Sequence, residues 1–101
     1  MDKLNIEKKA DGGNLTITLK GRLDTTTAPS LESEFKSSLN GVTELVLDLK
    51  ELVYISSAGL RVLLSAQKVM NKQGKMSIKN ANDDIRDVFD VTGFIDILNV
   101  E

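Results

Sequence analysis

The chain has no cysteine and no histidine, and these two absences remove much of the usual chemistry of protein sites. Without cysteine there is no disulfide and no thiolate that could bind a metal. Without histidine, the commonest general base and the commonest metal ligand are both missing. No apolar run of about 18 residues is present either, so the sequence predicts no membrane insertion. We therefore expect no catalytic residues, no metal and no cofactor.

The composition that remains is typical of one soluble domain. Of the 101 residues, 41% are hydrophobic and 28% are charged, and a chain of this length can bury a core without cross-links. The formal net charge is −2 and the basic residues form no block, which argues against direct binding of nucleic acid. The N-terminus has no signal-peptide core. These features together predict a single cytoplasmic domain.

Alternating apolar residues at the start of the chain predict an antiparallel hairpin, and a helix should follow it. Two short strands, around residues 4–6 and 15–20, flank a turn signal at residues 11–14. Pro29 lies in the expected first turn of the helix, where its missing N–H costs least, and Asn40-Gly41 should close the helix. The apolar stripe of this helix has a spacing of four residues and consists of Leu31, Phe35 and Leu39.

The second half of the chain predicts a βαβ unit followed by a third helix. Residues 45–49 form an apolar run that is typical of a central strand covered on both faces. A helix over residues 57–72 comes next, with Val69 among its core positions, and the next strand should lie at residues 76–78. These two strands should be parallel, and the third helix should end at Gly93. We expect an α/β sandwich with a mixed sheet of four or five strands and three to four helices.

The segment between the central strand and its helix is the most informative about function. Ser56 and Ser57 lie where the helix begins, and the N–H groups and dipole of a helix N-terminus favour an anion such as phosphate. Arg61 is one turn further along, on the same exposed face as Ser57. A phosphorylated Ser57 would therefore have helix N–H groups and a guanidinium nearby. The simpler alternative is that Ser56 or Ser57 is only the N-cap of the helix.

Other polar clusters indicate capping or solvent-facing roles rather than catalysis. The two serines lack a Gly-x-Ser-x-Gly elbow and a base, which argues against nucleophilic catalysis. Asp24 and Thr25 follow a strand and precede a helix, so they either organise the turn or form a polar rim beside Ser57 at the same end of the sheet. The aspartates of residues 83–90 lack the spacing of a calcium loop. They indicate a negative charge bias at a helix N-terminus and a solvated face.

Three segments together resemble the bacterial anti-sigma factor antagonists, a family of STAS domain proteins. Residues 21–24, Gly-Arg-Leu-Asp, look like the Gly-x-Leu-Asp motif of the family. Residues 45–49 and then 52–60 look like its central strand and phosphorylation loop, and residues 89–94 look like its late helix-ending segment. The likeness covers nearly the whole chain, and it implies one STAS domain over residues 1–101.

The resemblance implies a phosphorylation switch. Ser57 falls on the phospho-acceptor of the family, and Ser56 replaces an aspartate that many members carry, which makes it a possible second acceptor. The implied partners are a serine protein kinase that is also the anti-sigma factor, and a PP2C-type phosphatase. Unphosphorylated antagonist would bind the kinase and release a sigma factor. The alternative is a non-switching STAS scaffold or subunit, bound to a transport ATPase or another regulatory complex. The expected partner-binding residues are Asp24, Thr25, Ser56, Ser57, Ala58, Gly59 and Arg61.

Overall fold

The computed structural model describes residues 3–101 and shows a four-stranded sheet with three α-helices. Met1 and Asp2, which belong to the expected domain, lie outside the described residues. The elements in chain order are β1 (Asn5–Asp11), β2 (Asn14–Leu23), α1 (Ala28–Ser38), β3 (Glu44–Ile55), α2 (Ser57–Gln73), β4 (Lys75–Lys79), α3 (Asp83–Thr92) and a 3-10 turn (Phe94–Asp96). The expected α/β architecture with a mixed sheet is confirmed.

The strands lie in the order β1-β2-β3-β4. The first two form the antiparallel hairpin that the sequence predicts. Strand β3 is parallel to both β2 and β4, so the chain contains two βαβ units, of which the pattern predicted only the second. Because β2 and β3 run in the same direction, their C-terminal ends meet at one edge of the sheet. Helices α1 and α2 both begin at that edge.

The central strand β3 is covered on one face, and the expectation of two covered faces is wrong. Leu45, Leu47 and Leu49 are buried, whereas Val46 and Asp48 between them are half-buried. Leu45 and Leu47 pair in register with buried side chains of both neighbouring strands, so these buried rows belong to the same face of the sheet. These register partners are Leu15 and Ile17 of β2 and Met76 and Ile78 of β4. Val46 made the run look continuously apolar, although it lies on the opposite face from the leucines.

Helix α2 departs from the expected core at Val69 and at Gln67. Val69 was expected inside, but 42% of its surface is exposed, while Gln67 is buried with 7% exposed. Val69 lies beside a groove between α1 and α2, and α1 is shorter than α2 by several residues. The side of α2 that carries Val69 is therefore only partly covered.

Helix α3 has the ends that its sequence predicts. The Ile85 N–H donates to Asn82 Oδ1 at 2.9 Å, Asp83 and Asp84 occupy the first turn, and Gly93 adopts a left-handed conformation with φ of 80° at the C-terminal end. Asp83 and Asp84 thus lie where the helix dipole favours negative charge. Within residues 3–101, no three carboxylates are grouped so that they could hold a metal ion. Across the same residues, no helix combines the length and the apolarity needed to cross a membrane.

Candidate functional site

Two loops at the C-terminal ends of β2 and β3 lie side by side, as the sequence predicts. Leu23 and Ile55 are partners in the parallel register. Directly beyond them, the Ser56 N–H donates to the Leu23 carbonyl oxygen at 2.9 Å. This bond joins the start of α2 to the end of β2. We call residues 24–27 and 56–58 the loop pair.

Ser56, and not Ser57, is the N-cap of α2. Ser56 has extended backbone angles, and its Oγ accepts a hydrogen bond from the Gly59 N–H at 3.3 Å. Its carbonyl oxygen accepts from the Leu60 N–H at 2.9 Å, which is the first bond of the helix. Ser57 is the first helical residue and is exposed. Its hydroxyl makes no hydrogen bond with any residue in 3–101. The capping role therefore belongs to Ser56, and the Ser57 hydroxyl is free.

This division of roles predicts different stability losses for the two serines. Ser56→Ala removes the cap and should lower the free energy of unfolding by about 1 kcal/mol. Ser57→Ala removes an exposed hydroxyl with no partner and should change that free energy by less than about 0.5 kcal/mol. Urea unfolding followed by circular dichroism measures both variants against wild type. A larger loss for Ser57→Ala than for Ser56→Ala would contradict the assignment of the cap.

The start of α2, at Ser57, is the positive side of the loop pair. Helix α2 starts there and contains no acidic residue along its whole length. Arg61 is exposed one turn later, and no carboxylate among residues 3–101 lies within ion-pair distance of its guanidinium. Thr25, Ala58 and Arg61 line an open groove of about 220 Å³ next to the loop pair. The helix dipole, the free N–H groups of the first turn and an unpaired cation all favour an anion at this end of α2.

Asp24 organises the first loop of the pair. Its Oδ1 accepts hydrogen bonds from the Thr26 hydroxyl at 2.7 Å, the Thr26 N–H at 2.9 Å and the Thr27 N–H at 3.1 Å. Its Oδ2 lies 3.6 Å from the Arg22 Nε. The bond from the Thr26 hydroxyl, followed by the backbone N–H groups of Thr26 and Thr27, holds the pKa of Asp24 below its ordinary value.

The low pKa of Asp24 fixes the sign of its effect on stability. The folded pKa is lower than the unfolded pKa of about 3.9. At pH values above the unfolded pKa, the ionised Asp24 carboxylate therefore stabilises the folded loop. This contribution is lost as the pH falls through the folded pKa of Asp24. At neutral pH Asp24 is charged, and the charge is held in one place by the hydroxyl and N–H donors of Thr26 and Thr27.

Two residues beside the loop pair were missed by the sequence analysis. Arg22 and Tyr54 are partners in the β2–β3 register, and the guanidinium carbon of Arg22 lies 4.2 Å from the centroid of the Tyr54 ring. This is a cation–π contact, and it leaves Tyr54 41% exposed next to the 60% exposed Val53. No local pattern could have indicated it, because the register of β2 and β3 contains irregularities on both sides of residues 20–21.

The expected partner-binding residues differ in accessibility. Thr25, Ser57 and Arg61 are exposed. Asp24, Ser56 and Ala58 are half-buried, and Gly59 is buried. A Cβ at Gly59 would lie 2.6 Å from Leu23 Cγ, so the absence of a side chain allows α2 to begin close against the end of β2. Gly59 thus positions the loop pair and presents no side chain to a partner.

Comparison with known proteins gives consistent matches. The family model described as the STAS domain matches residues 5–101. The protein BtrV of Bordetella bronchiseptica, whose name contains the words anti-sigma factor antagonist, is 37% identical over 102 residues, covering 99% of this chain and 82% of BtrV.

Solved structures match the fold over nearly the whole chain. One is an anti-sigma factor antagonist from Mycobacterium paratuberculosis, with a TM-score of 0.88 and 21% identity, covering 98% of this chain and 86% of that chain. Another is the Bacillus cell fate determinant SpoIIAA in its phosphorylated form, with a TM-score of 0.73 and 18% identity, covering 97% of this chain and 90% of that chain. At these sequence identities, the two structures are evidence for a shared fold only.

Proposed function

The chain belongs to the STAS domain family, and on that premise we propose that it is an anti-sigma factor antagonist switched by phosphorylation of Ser57. In the unphosphorylated state it binds a serine protein kinase that is also an anti-sigma factor, and a sigma factor is released. Phosphorylation by the same kinase ends that binding, and a PP2C-type phosphatase restores it. The protein acts through binding and has no enzymatic activity of its own. This role places it in the cytoplasm together with its kinase.

The proposal rests mainly on the different structural roles of Ser56 and Ser57. Ser56 satisfies an N–H of the first turn, so the Ser57 hydroxyl is exposed and unengaged and is available to a kinase. Once formed, a phosphate on Ser57 would lie at the positive end of α2, close to the unpaired Arg61. The fold can therefore accept the added charge without losing a structural contact.

The loop pair supplies the proposed contact surface for the kinase. Thr25, Ser57 and Arg61 offer exposed side chains, and the Asp24 carboxylate holds the first loop in one conformation. Ser56 and Ala58 complete the surface around the acceptor. The name of BtrV supports the assignment to an anti-sigma factor antagonist, and SpoIIAA, a protein of the same fold, has been solved in a phosphorylated form.

Phosphorylation mapping tests the proposal. The serine-kinase anti-sigma factors of the source genome, each purified and supplied with ATP, are incubated with wild type, Ser57→Ala and the matched control Ser56→Ala. Peptide mass spectrometry should locate phosphate on Ser57 in wild type and in Ser56→Ala, and it should detect none in Ser57→Ala. Phosphate on Ser56 alone would move the acceptor, and no phosphate with any kinase would count against the switch.

A further inference from the structure

A second surface extends from the loop pair along the two helices α1 and α2. The helices leave a groove of about 530 Å³ between them, which we call the α1–α2 groove. Val69 lies in it with 42% of its surface exposed. The apolar residues that line the groove are Phe35, Leu39, Val62, Ala66 and Val69.

The rim of the α1–α2 groove is basic although the whole chain carries a formal charge of −2. Lys36 of α1 lines the groove itself, and Arg61 of α2 lines the smaller groove next to it. By helical spacing, Lys68 and Lys72 lie one turn from the lining residues Ser65 and Val69, and α2 contains no acidic residue. None of these four cations has a carboxylate of residues 3–101 within ion-pair distance. Glu32 is the acidic residue of the lining. The groove thus has an apolar floor, and the basic side chains around it outnumber the one carboxylate of its lining.

The α1–α2 groove is continuous with the proposed kinase-binding surface. Glu32, Val62 and Ser65 line both this groove and the smaller one that contains Thr25 and Arg61. A partner that contacts the loop pair can therefore continue along α2 within one connected groove.

We propose that the α1–α2 groove binds an amphipathic helix of the kinase, with its apolar side on the groove floor and carboxylates facing the basic rim. A groove between two packed helices fits the ridge of a third helix. Helix α1 has 11 residues, which corresponds to a length of about 16 Å and to about three turns of a docked helix. The inference rests on the proposed function, because the helix belongs to the same kinase.

A second copy of this chain fits the groove poorly. Two α2 helices facing each other would bring their cations together, which is unfavourable. The acidic helix of the chain is α3, but its apolar residues Ile85 and Phe89 are buried in its own core. Of the other apolar side chains of α3, Val88 is half-buried and Val91 is exposed, so α3 offers the groove of a neighbour one exposed apolar side chain rather than a ridge. The basic rim and the apolar floor of the groove together favour a helix from a different protein.

A binding titration with matched variants tests this inference. The probe is the kinase that phosphorylates Ser57, titrated without ATP by wild type, Val69→Asp and the control Val91→Asp. Val91 is 86% exposed on α3 and lies outside the groove. Val69→Asp should raise the Kd at least about tenfold, because an aspartate would replace an apolar contact in the groove. Val91→Asp should stay within about twofold of wild type, since it introduces the same change elsewhere.

A charge-reversal variant provides a second test, which probes the basic rim and not the apolar floor of the groove. Lys72→Glu changes an exposed side chain, and circular dichroism should show that the variant is folded. It should slow association with the kinase and flatten the dependence of that rate on salt, as expected for a basic rim that steers an acidic partner. Wild-type affinity for Val69→Asp, or an unchanged association rate for Lys72→Glu, would overturn the inference.

The outcomes separate this inference from the proposed function. If Ser57 is phosphorylated and Ser57→Asp weakens binding, but Val69→Asp binds as wild type does, the groove inference is overturned and the switch stands. If no kinase binds wild type, both are overturned. Sedimentation of the free chain tests whether a second copy of this chain occupies the groove instead. A wild-type dimer that Val69→Asp converts to a monomer would assign the groove to a second copy and overturn the docked kinase helix.

Discussion

Ser57→Asp should weaken binding to the kinase at least about tenfold, whereas Ser57→Ala should bind within about threefold of wild type. The aspartate places a negative charge in an interface that accommodates the neutral hydroxyl, and like charge or desolvation there costs more than 1 kcal/mol. Alanine adds no charge and removes a hydroxyl that makes no contact within the described part of the chain. Isothermal titration with purified kinase measures both values.

The effect of Ser57→Asp should arise locally. The start of α2 already favours an anion through its dipole and its N–H groups, and Ser56 continues to cap the helix. Backbone amide spectra of Ser57→Asp should therefore match wild type beyond the neighbourhood of residue 57. Chemical-shift changes spread through the sheet would contradict a local electrostatic switch. Equal kinase affinity for the alanine and aspartate variants would instead favour the non-switching scaffold.

The second large effect is expected at Gly59. An alanine in a helix interior normally stabilises by about 1 kcal/mol relative to glycine, but here the added methyl would lie 2.6 Å from Leu23 Cγ and 3.1 Å from Ile55 Cγ1. Leu23 and Ile55 are both buried and have little room to move. Gly59→Ala should therefore lower the free energy of unfolding by about 1–3 kcal/mol. Chemical denaturation measures the loss, and Ser57→Ala serves as an alanine control two residues away.

A double-mutant cycle identifies the contact that causes this loss. Leu23→Ala alone should cost about 2–5 kcal/mol because it leaves a cavity. The same truncation removes the Cγ atom that the new methyl would meet. The double variant should therefore be less destabilised than the sum of the two single variants. Additive losses would mean that the close approach of α2 to β2 is not the reason for glycine at this position.

The parts of the fold that depend on neighbours along the chain were predictable. The turn at residues 11–14, the stripe of Leu31 and Phe35, and the ends of α3 are each specified within a few residues. Their physical basis is local, namely strand and helix periodicity, capping side chains and glycine at the left-handed C-terminal position of α3. The segment around Ser56 and Ser57 was recognisable as a helix start for the same reason.

Other features were not predictable because their causes lie far apart in the sequence. The prediction that both faces of β3 are covered was wrong at Val46, because an apolar run does not show on which side of the sheet the helices pack. Val69 was placed in the core by helical periodicity, but it lines the groove between α1 and α2 and is 42% exposed, which depends on how two helices from different parts of the chain pack. The Arg22–Tyr54 contact depends on a strand register that contains irregularities.

The sequence by itself determined the kind of elements, their order and the family resemblance, because apolar periodicity and capping residues act over a few positions. It left open which of the two serines caps α2, since either hydroxyl is near enough in the chain. The tertiary structure decided this. The bond from the Ser56 N–H to the Leu23 carbonyl, which places Ser56 in an extended conformation ahead of the helix, comes from a strand more than thirty residues earlier. The freedom of the Ser57 hydroxyl is therefore a consequence of the parallel pairing of β2 and β3.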